Sequence, residues 1–208
     1  MQDFKQPKQL INKNYLNKIN NSKKAFIVYK TIKGFDLYTD FSKKIILNDK
    51  NIIKFLRTKN KSRSKNTDLF IGFFGYEILN KLIGIKLSKQ KSINFPKGIF
   101  YKPETKINLK DNLIFNSPKT NKINKNFKIN INQNSYTKIF NKFKKKIKSG
   151  ETYQIKICTK YSNKSQIDAL DFFSRLVKTN MAPEAFMIKD KNYSIISCSP
   201  ENLITKKN

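Results

Sequence analysis

The sequence contains no histidine and no tryptophan, and only two of its 208 residues are cysteines. The missing histidine excludes His-based catalysis within these residues. Cys158 and Cys198 stand in apolar, strand-like runs with no Cys or His beside them. We therefore expect both thiols to be buried in a reduced, cytoplasmic protein, and to have no redox or metal role.

Long apolar runs are also absent. No stretch approaches the roughly 20 residues of a membrane-spanning helix, and Met1-Gln2-Asp3-Phe4-Lys5 lacks the apolar segment of a signal peptide. We therefore expect no membrane partner. A P-loop, a dinucleotide fingerprint, metal-ligand spacing and a nucleophile elbow are missing too, so the residues by themselves announce no activity.

Acidic residues are few, 14 against 44 basic ones, and the formal net charge is +30. Such a charge is typical of a basic module that binds nucleic acid or an acidic partner. Arg57, Arg63 and Arg175 are the only arginines, although the planar fork of arginine is what nucleic-acid recognition favours. The frequencies of Lys, Asn and Ile are high along the whole chain, which indicates a coding bias toward A- and T-rich codons. We expect no nucleic-acid partner, and the basic binding module is the alternative from a different class.

Apolar residues make up 38% of the chain and aromatic residues 12%, which is enough to form a core. Residues 1–24 are polar and rich in Lys and Asn, and they predict a loose lead-in. Residues 116–134 have the lowest complexity and predict a linker or surface excursion. We therefore expect three regions, with boundaries at 1–24, 25–134 and 135–208.

The clearest predicted element is a helix over residues 135–150. Its apolar stripe comprises Tyr136, Ile139, Phe140, Phe143 and Ile147. Ser135 is predicted to cap its start, and Gly150 to end it in a left-handed conformation. A period of two over residues 152–161 predicts a strand. A second helix through residues 167–177 and a hairpin of residues 184–188 and 193–198 follow.

Three short motifs stand in this part of the chain. They are Gly150-Glu151-Thr152-Tyr153-Gln154, Asn180-Met181-Ala182-Pro183-Glu184 and Ser197-Cys198-Ser199-Pro200-Glu201. Each has an ordinary structural explanation: a helix end, a bend into a strand and a helix cap. In this order and spacing they resemble the middle of the chorismate-utilising enzymes, a family that includes anthranilate synthase component I and aminodeoxychorismate synthase component I. The resemblance covers roughly Asp68 to Thr205 and is strongest from Tyr136 onward.

The resemblance implies a mixed α/β (α+β) fold with antiparallel sheet layers and outer helices, the N-terminal part of the component I fold. Residues 25–134 correspond to the N-terminal region of component I, and residues 135–208 to the start of a chorismate-binding domain that is truncated here. The family-motif residues are Gly150, Tyr153, Gln154, Ser199, Pro200 and Glu201. Asn202 departs from the Arg that usually follows the Ser-Pro-Glu motif.

The resemblance also implies an effector pocket, because the segment matching Asn180-Met181-Ala182-Pro183-Glu184 lines the tryptophan pocket of regulated anthranilate synthases. Its candidate residues here are Asn180, Met181, Ala182, Pro183 and Glu184. Glu184 replaces the aromatic residue that follows Pro in the family. An acid can meet the ammonium group of a ligand, but it removes a stacking surface.

The activity implied is that of a component I, which adds ammonia from a glutamine amidotransferase (glutaminase) subunit to chorismate with Mg²⁺ bound. In the family the Mg²⁺-binding glutamates, the catalytic His and a Pro-Ile-x-Gly-Thr segment lie beyond the Ser-Pro-Glu motif. We therefore expect no catalytic and no metal-binding residue in this segment, and no chorismate turnover by the chain alone. We favour the aminodeoxychorismate (folate) branch, because the part before Gly150 is short and no Leu-Leu-Glu-Ser motif occurs near the start. Anthranilate synthase component I, of tryptophan biosynthesis, is the alternative.

Overall fold

The computed structural model describes residues 4, 13–31, 33–60, 69–78, 82–84, 95–110, 114 and 126–199. The chain divides into two compact units. The first comprises Met1–Pro118 and Ala169–Asn208, and the second comprises Lys119–Asp168. None of the helices in the described ranges has both the length and the apolar character needed to cross a membrane.

The first unit is built around one sheet. Its strands are β1 (Phe26–Thr31), β2 (Gly34–Ile46), β3 (Ile71–Phe74), β4 (Gly98–Leu109), β7 (Ala185–Lys189) and β8 (Ser194–Cys198). The six strands are antiparallel, in the order β3-β4-β2-β1-β7-β8. Helices α1 (Lys13–Asn21), α2 (Ile52–Asn60) and α4 (Ala169–Asn180) and a 3-10 turn (Tyr76–Ile78) belong to the same unit.

The central strands are buried on both faces. Phe26 and Val28 of β1 belong to one apolar cluster, which also contains Phe173 of α4. Ile27 belongs to another cluster, together with Tyr101 of β4. Successive side chains of a strand point to opposite faces of the sheet, so the two clusters cover its two sides. The observed antiparallel sheet with packed helices confirms the predicted α+β fold.

The longest ladder joins β2 to β4, and it contains an irregularity. The register runs from Thr39 opposite Thr105 to Phe41 opposite Pro103 and then shifts, so that Lys43 lies opposite Lys102. Just before the shift, Asp40 has a φ of 52°, in the left-handed region that Asp tolerates better than most residues. A bulge of this kind bends the strand and redirects its side chains.

The α4 helix and the hairpin of β7 and β8 confirm the sequence prediction for this part of the chain. Phe173 and Val177 of α4 are fully buried, as the apolar spacing requires. The hairpin pairs Ala185 with Cys198 and Lys189 with Ser194. Both elements follow from local patterns of apolar and turn residues, so they could be predicted without knowledge of distant contacts.

Other elements of the first unit were not predicted. Helix α1 lies within residues 1–24, and its Leu16 is buried in the main cluster. Strand β2 and helix α2 were missed because charged residues interrupt their apolar patterns. Buried Asp36 in β2 is compensated by Lys106, whose Nζ lies 2.9 Å from its carboxylate, and by Asn108 at 2.6 Å, and such cross-strand partners are not visible in the sequence. The three predicted regional boundaries stay predictions.

The second unit contains β5 (Lys128–Ile129), α3 (Gln133–Lys148) and β6 (Tyr161–Ser162), with β5 and β6 paired. Helix α3 confirms the predicted helix, and Gly150 has the predicted left-handed φ, 74°. The predicted cap at Ser135 is wrong, because the side chain of Asn132 accepts from the Ser135 N–H at 2.9 Å. Asn is at least as good a cap as Ser, so the helix starts earlier.

The predicted strand over residues 152–161 is wrong except at its last residue. Residues 152–160 are irregular, and Tyr161 alone joins the two-residue strand β6. A strand requires a paired neighbour, and a period of two does not supply one. Cys158 is exposed in this segment, so its predicted burial is also wrong. Cys198, in β8, is half-buried.

Candidate functional site

The candidate effector segment connects α4 to β7. Asn180 is the last residue of α4, and Met181 follows with a φ of 50° while its N–H donates to the Val177 carbonyl at 3.0 Å. This left-handed residue ends the helix, and Pro183 prevents its continuation. Of the five residues of this segment, Ala182 is buried and Glu184 is half-buried, and the other three, Asn180, Met181 and Pro183, are exposed.

Strand β1 holds this segment in place through two side chains that the sequence did not identify. The Nζ of Lys30 donates to the Ala182 carbonyl at 2.5 Å. Tyr29 lies close to Glu184: burial, followed by the negative charge of Glu184, raises the pKa of Tyr29. The Lys30 contact spans 152 positions, so only a pairing of β1 with β7 could have indicated it.

The Ser-Cys-Ser-Pro-Glu motif reaches the same end of the sheet. Lys30 of β1 lies opposite Ala185 of β7, and Ala185 lies opposite Cys198 of β8. Burial raises the pKa of the Cys198 thiol, and the positive charge of Lys30 acts in the opposite direction. Ser199 follows β8 directly. The effector segment and the start of this motif are therefore brought together, while Pro200 and Glu201 lie outside the described residues.

The Gly150-to-Gln154 motif belongs to the second unit. Glu151 is paired with Lys146 and also accepts from the Ser149 hydroxyl at 3.3 Å. The bond from Lys146, together with its positive charge, lowers the pKa of Glu151. Tyr153 and Gln154 are exposed, Tyr153 by 92%. Within this unit the motif therefore forms a helix end and a surface turn, and Gln154 faces no enclosed site.

At the opposite end of the β7–β8 hairpin a buried carboxylate, Asp190, collects several donors. It accepts from the Tyr101 hydroxyl, from the Lys44 Nζ at 2.5 Å and from the Tyr193 hydroxyl at 3.3 Å. The Lys191 N–H donates to its other oxygen at 2.6 Å. Burial acts to raise the pKa of Asp190, but the bonds from Lys44 and Tyr101 outweigh it, so the pKa is lowered. This group fixes the hairpin against β4 and β2.

The Mg²⁺ that the resemblance implies has no site among the residues with described positions. No group of three or more His, Cys, Asp or Glu side chains in those ranges could hold a metal ion. Two of the buried acids pair with cations instead: Asp36 with Lys106, and Asp171 with Arg175. The described residues therefore do not fit a magnesium site.

The comparison with known proteins agrees with the motifs. A sequence model for the family described as chorismate binding enzyme matches residues 12–208 of the chain. A search of curated proteins finds no matching sequence. The family match begins just before α1, so it includes the sheet, the effector segment and both flanking motifs. Because this match spans nearly the whole sequence, the chain belongs to the family of chorismate binding enzymes.

Proposed function

We propose that the chain serves the amination of chorismate as the N-terminal part of an aminodeoxychorismate synthase component I. In this reaction ammonia from a glutamine amidotransferase subunit is added to chorismate on the route to 4-aminobenzoate, in the cytoplasm and with Mg²⁺ as the metal. The observation that carries the proposal is the family match over residues 12–208. The order of the three motifs along the chain supports it further.

The choice of branch rests on the effector segment. In regulated anthranilate synthases this segment binds tryptophan, and an aromatic residue follows the Pro. Here Glu184 takes that position and lies close to Tyr29, while the Nζ of Lys30 donates to the Ala182 carbonyl at 2.5 Å. Lys30 therefore already has a partner within the protein, and Glu184 replaces the stacking surface of the aromatic residue. This arrangement favours the branch without tryptophan feedback.

Genetic complementation tests the proposed branch. The complete product of the gene that encodes this chain is expressed, with a glutaminase subunit, in one bacterial strain that requires 4-aminobenzoate and in another that requires tryptophan. We expect growth of the first strain without 4-aminobenzoate and no growth of the second without tryptophan. Rescue of only the tryptophan strain would replace the proposal by anthranilate synthase component I. Rescue of neither strain, with soluble protein present in both, would overturn chorismate amination itself.

Feedback inhibition tests the effector segment separately. We expect tryptophan to leave the ammonia-dependent activity of the complete gene product unchanged, because Lys30 has an internal partner and Glu184 takes the place of an aromatic stacking surface. The variant Glu184→Phe restores the aromatic residue of the family and is expected to increase sensitivity to tryptophan. Inhibition of the unaltered protein by micromolar tryptophan would contradict this role for Glu184.

A further inference from the structure

The first unit contains a cavity of about 610 Å³ between α1 and the bulged part of β2. This volume is within the range of small-molecule sites. Aromatic side chains, Tyr15, Phe41 and Tyr101, contribute to its walls, and the rings of Phe41 and Tyr101 lie 4.8 Å apart. The volume and these aromatic walls suit a small ring. It does not include the effector segment.

One carboxylate in the cavity wall, that of Asp40, is oriented by neutral donors. Asp40 accepts from the hydroxyls of Thr39 at 3.0 Å and Thr105 at 2.9 Å. Asp40 itself is exposed, whereas both threonines are buried, so their hydroxyls orient its carboxylate. Within the described part of the chain Asp40 forms no ion pair, although basic residues outnumber acidic ones by 44 to 14.

The backbone at Asp40 indicates that its position is imposed by the fold. Its φ of 52° and the adjacent register shift in the β2–β4 ladder redirect the strand at this residue. Bulges and left-handed residues occur often beside binding sites, where they aim a side chain. Tyr15 lies close to the carboxylate: burial and the charge of Asp40 raise the pKa of Tyr15.

Cations complete the wall. Lys18 and Lys24 line the cavity, as does Lys44, which is neutralised by Asp190 at 2.5 Å. The first two, in the described part of the chain, have no acidic partner within ion-pair distance. A ligand that satisfies the whole wall therefore carries an amino group for Asp40, an anionic group for the lysines and an apolar ring.

We propose that this cavity binds a small aromatic molecule that carries both an amino group and a carboxylate on or next to a single ring. Asp40 accepts from the amino group, Lys18 and Lys24 contact the carboxylate, and Tyr15 and Phe41 pack against the ring. The class includes aminobenzoates, the compounds to which the proposed activity leads, and phenylalanine. Binding itself does not depend on the proposed function.

Calorimetric titration of the full chain tests the proposal with four probes: 4-aminobenzoate, phenylalanine, benzoate and aniline. Ligands of this size reach a Kd of about 10 µM to 1 mM. We expect such a Kd for 4-aminobenzoate or phenylalanine, whichever source supplies the natural ligand. Benzoate lacks the amino group and aniline lacks the carboxylate, so each is expected to bind at least about tenfold more weakly. Equal affinity for all four probes, or no binding at millimolar concentrations, would overturn the site.

Charge-neutralising variants locate the binding. Asp40→Asn is expected to lower the affinity for the amino-bearing ligand by about tenfold or more and to change the affinity for benzoate by less than about twofold. The double variant Lys18→Gln and Lys24→Gln weakens binding of the three probes that carry a carboxylate but not of aniline. Asp49→Asn, an exposed carboxylate outside the cavity, is the matched control and changes nothing.

Amide resonances of the unaltered chain provide a second measurement if Asp40→Asn does not fold. Those of Asp40 and Phe41 are expected to move on titration with the amino-bearing ligand, while that of Phe173 stays fixed. Binding that is insensitive to Asp40→Asn, or that leaves the Asp40 resonance unmoved, would refute the assignment. Because these readouts require no turnover, their failure is distinguishable from failure of the proposed amination.

Discussion

Removal of the Asp190 carboxylate is expected to destabilise the first unit strongly. Asp190 is 9% exposed, and Tyr101, which donates to it, is 1% exposed. The change Asp190→Ala leaves the Tyr101 hydroxyl buried without its acceptor, which costs about 1–3 kcal/mol. It also removes the charge-assisted bond from Lys44, worth about 1.5–3 kcal/mol. These terms are not additive, so we expect a loss of about 3–5 kcal/mol in the free energy of unfolding.

Chemical denaturation followed by circular dichroism measures this loss. Asp49→Ala is the matched control, since its carboxylate is 52% exposed and is paired with Lys97 at 2.6 Å; an exposed pair contributes about 0–1 kcal/mol. Tyr101→Phe in the Asp190→Ala background should cost less than in the unaltered protein, because the hydroxyl no longer has its acceptor. If Asp190→Ala and Asp49→Ala destabilise equally, the inferred role of Asp190 is refuted.

The same carboxylate determines a pH dependence. The pKa of Asp190 is lowered in the folded protein by the bonds from Lys44 and Tyr101, against the effect of burial. An unfolded Asp titrates near about pH 3.9, so the stabilisation by the charged group is fully present above that pH. It is lost as pH falls through the lower folded-state pKa. Stability of the unaltered protein should therefore fall below about pH 4, and that of Asp190→Ala should fall less.

Three further perturbations have defined outcomes. Phe173→Ala should lower the free energy of unfolding by about 3–5 kcal/mol because Phe173 is fully buried. The neighbouring Phe172 is 37% exposed, so Phe172→Ala should cost clearly less. Equal costs would contradict the observed orientation of α4. Gly72→Ala should abolish the cooperative unfolding transition, because a Cβ there would overlap the backbone of the neighbouring strand β4. An unchanged transition would contradict that close approach. Alkylation followed by mass spectrometry should modify exposed Cys158 before Cys198, whose pKa is raised by burial; the reverse order would contradict the observed exposures.

Local patterns determined what the sequence could predict of the fold. The apolar spacing of α4 and the turn between β7 and β8 involve neighbours within one element, and both predictions are confirmed. Strand β2 was missed because its buried Asp36 needs Lys106 and Asn108 from another strand. The wrong strand over residues 152–161 shows the converse, since alternation alone does not supply a pairing partner.

The same physics separates the predicted from the unpredicted parts of the candidate sites. The effector segment was recognised from its own residues, but its attachment to Lys30 and Tyr29 depends on the pairing of β1 with β7. The cavity beside Asp40 depends on a bulge and on Thr105 in a strand 65 positions away. No local pattern encodes such a convergence, so only the folded chain shows it.

The product formed from chorismate tests the proposed amination directly. The complete product of the gene is incubated with chorismate, Mg²⁺ and ¹⁵N-labelled ammonium, and the products are separated by liquid chromatography and weighed by mass spectrometry. We expect ¹⁵N-labelled 4-amino-4-deoxychorismate. When the glutaminase subunit is added and glutamine labelled at its amide nitrogen replaces the ammonium, we expect the same labelled product. Labelled anthranilate would contradict the proposed branch, and unchanged chorismate with a folded, metal-supplied protein would contradict the proposed amination.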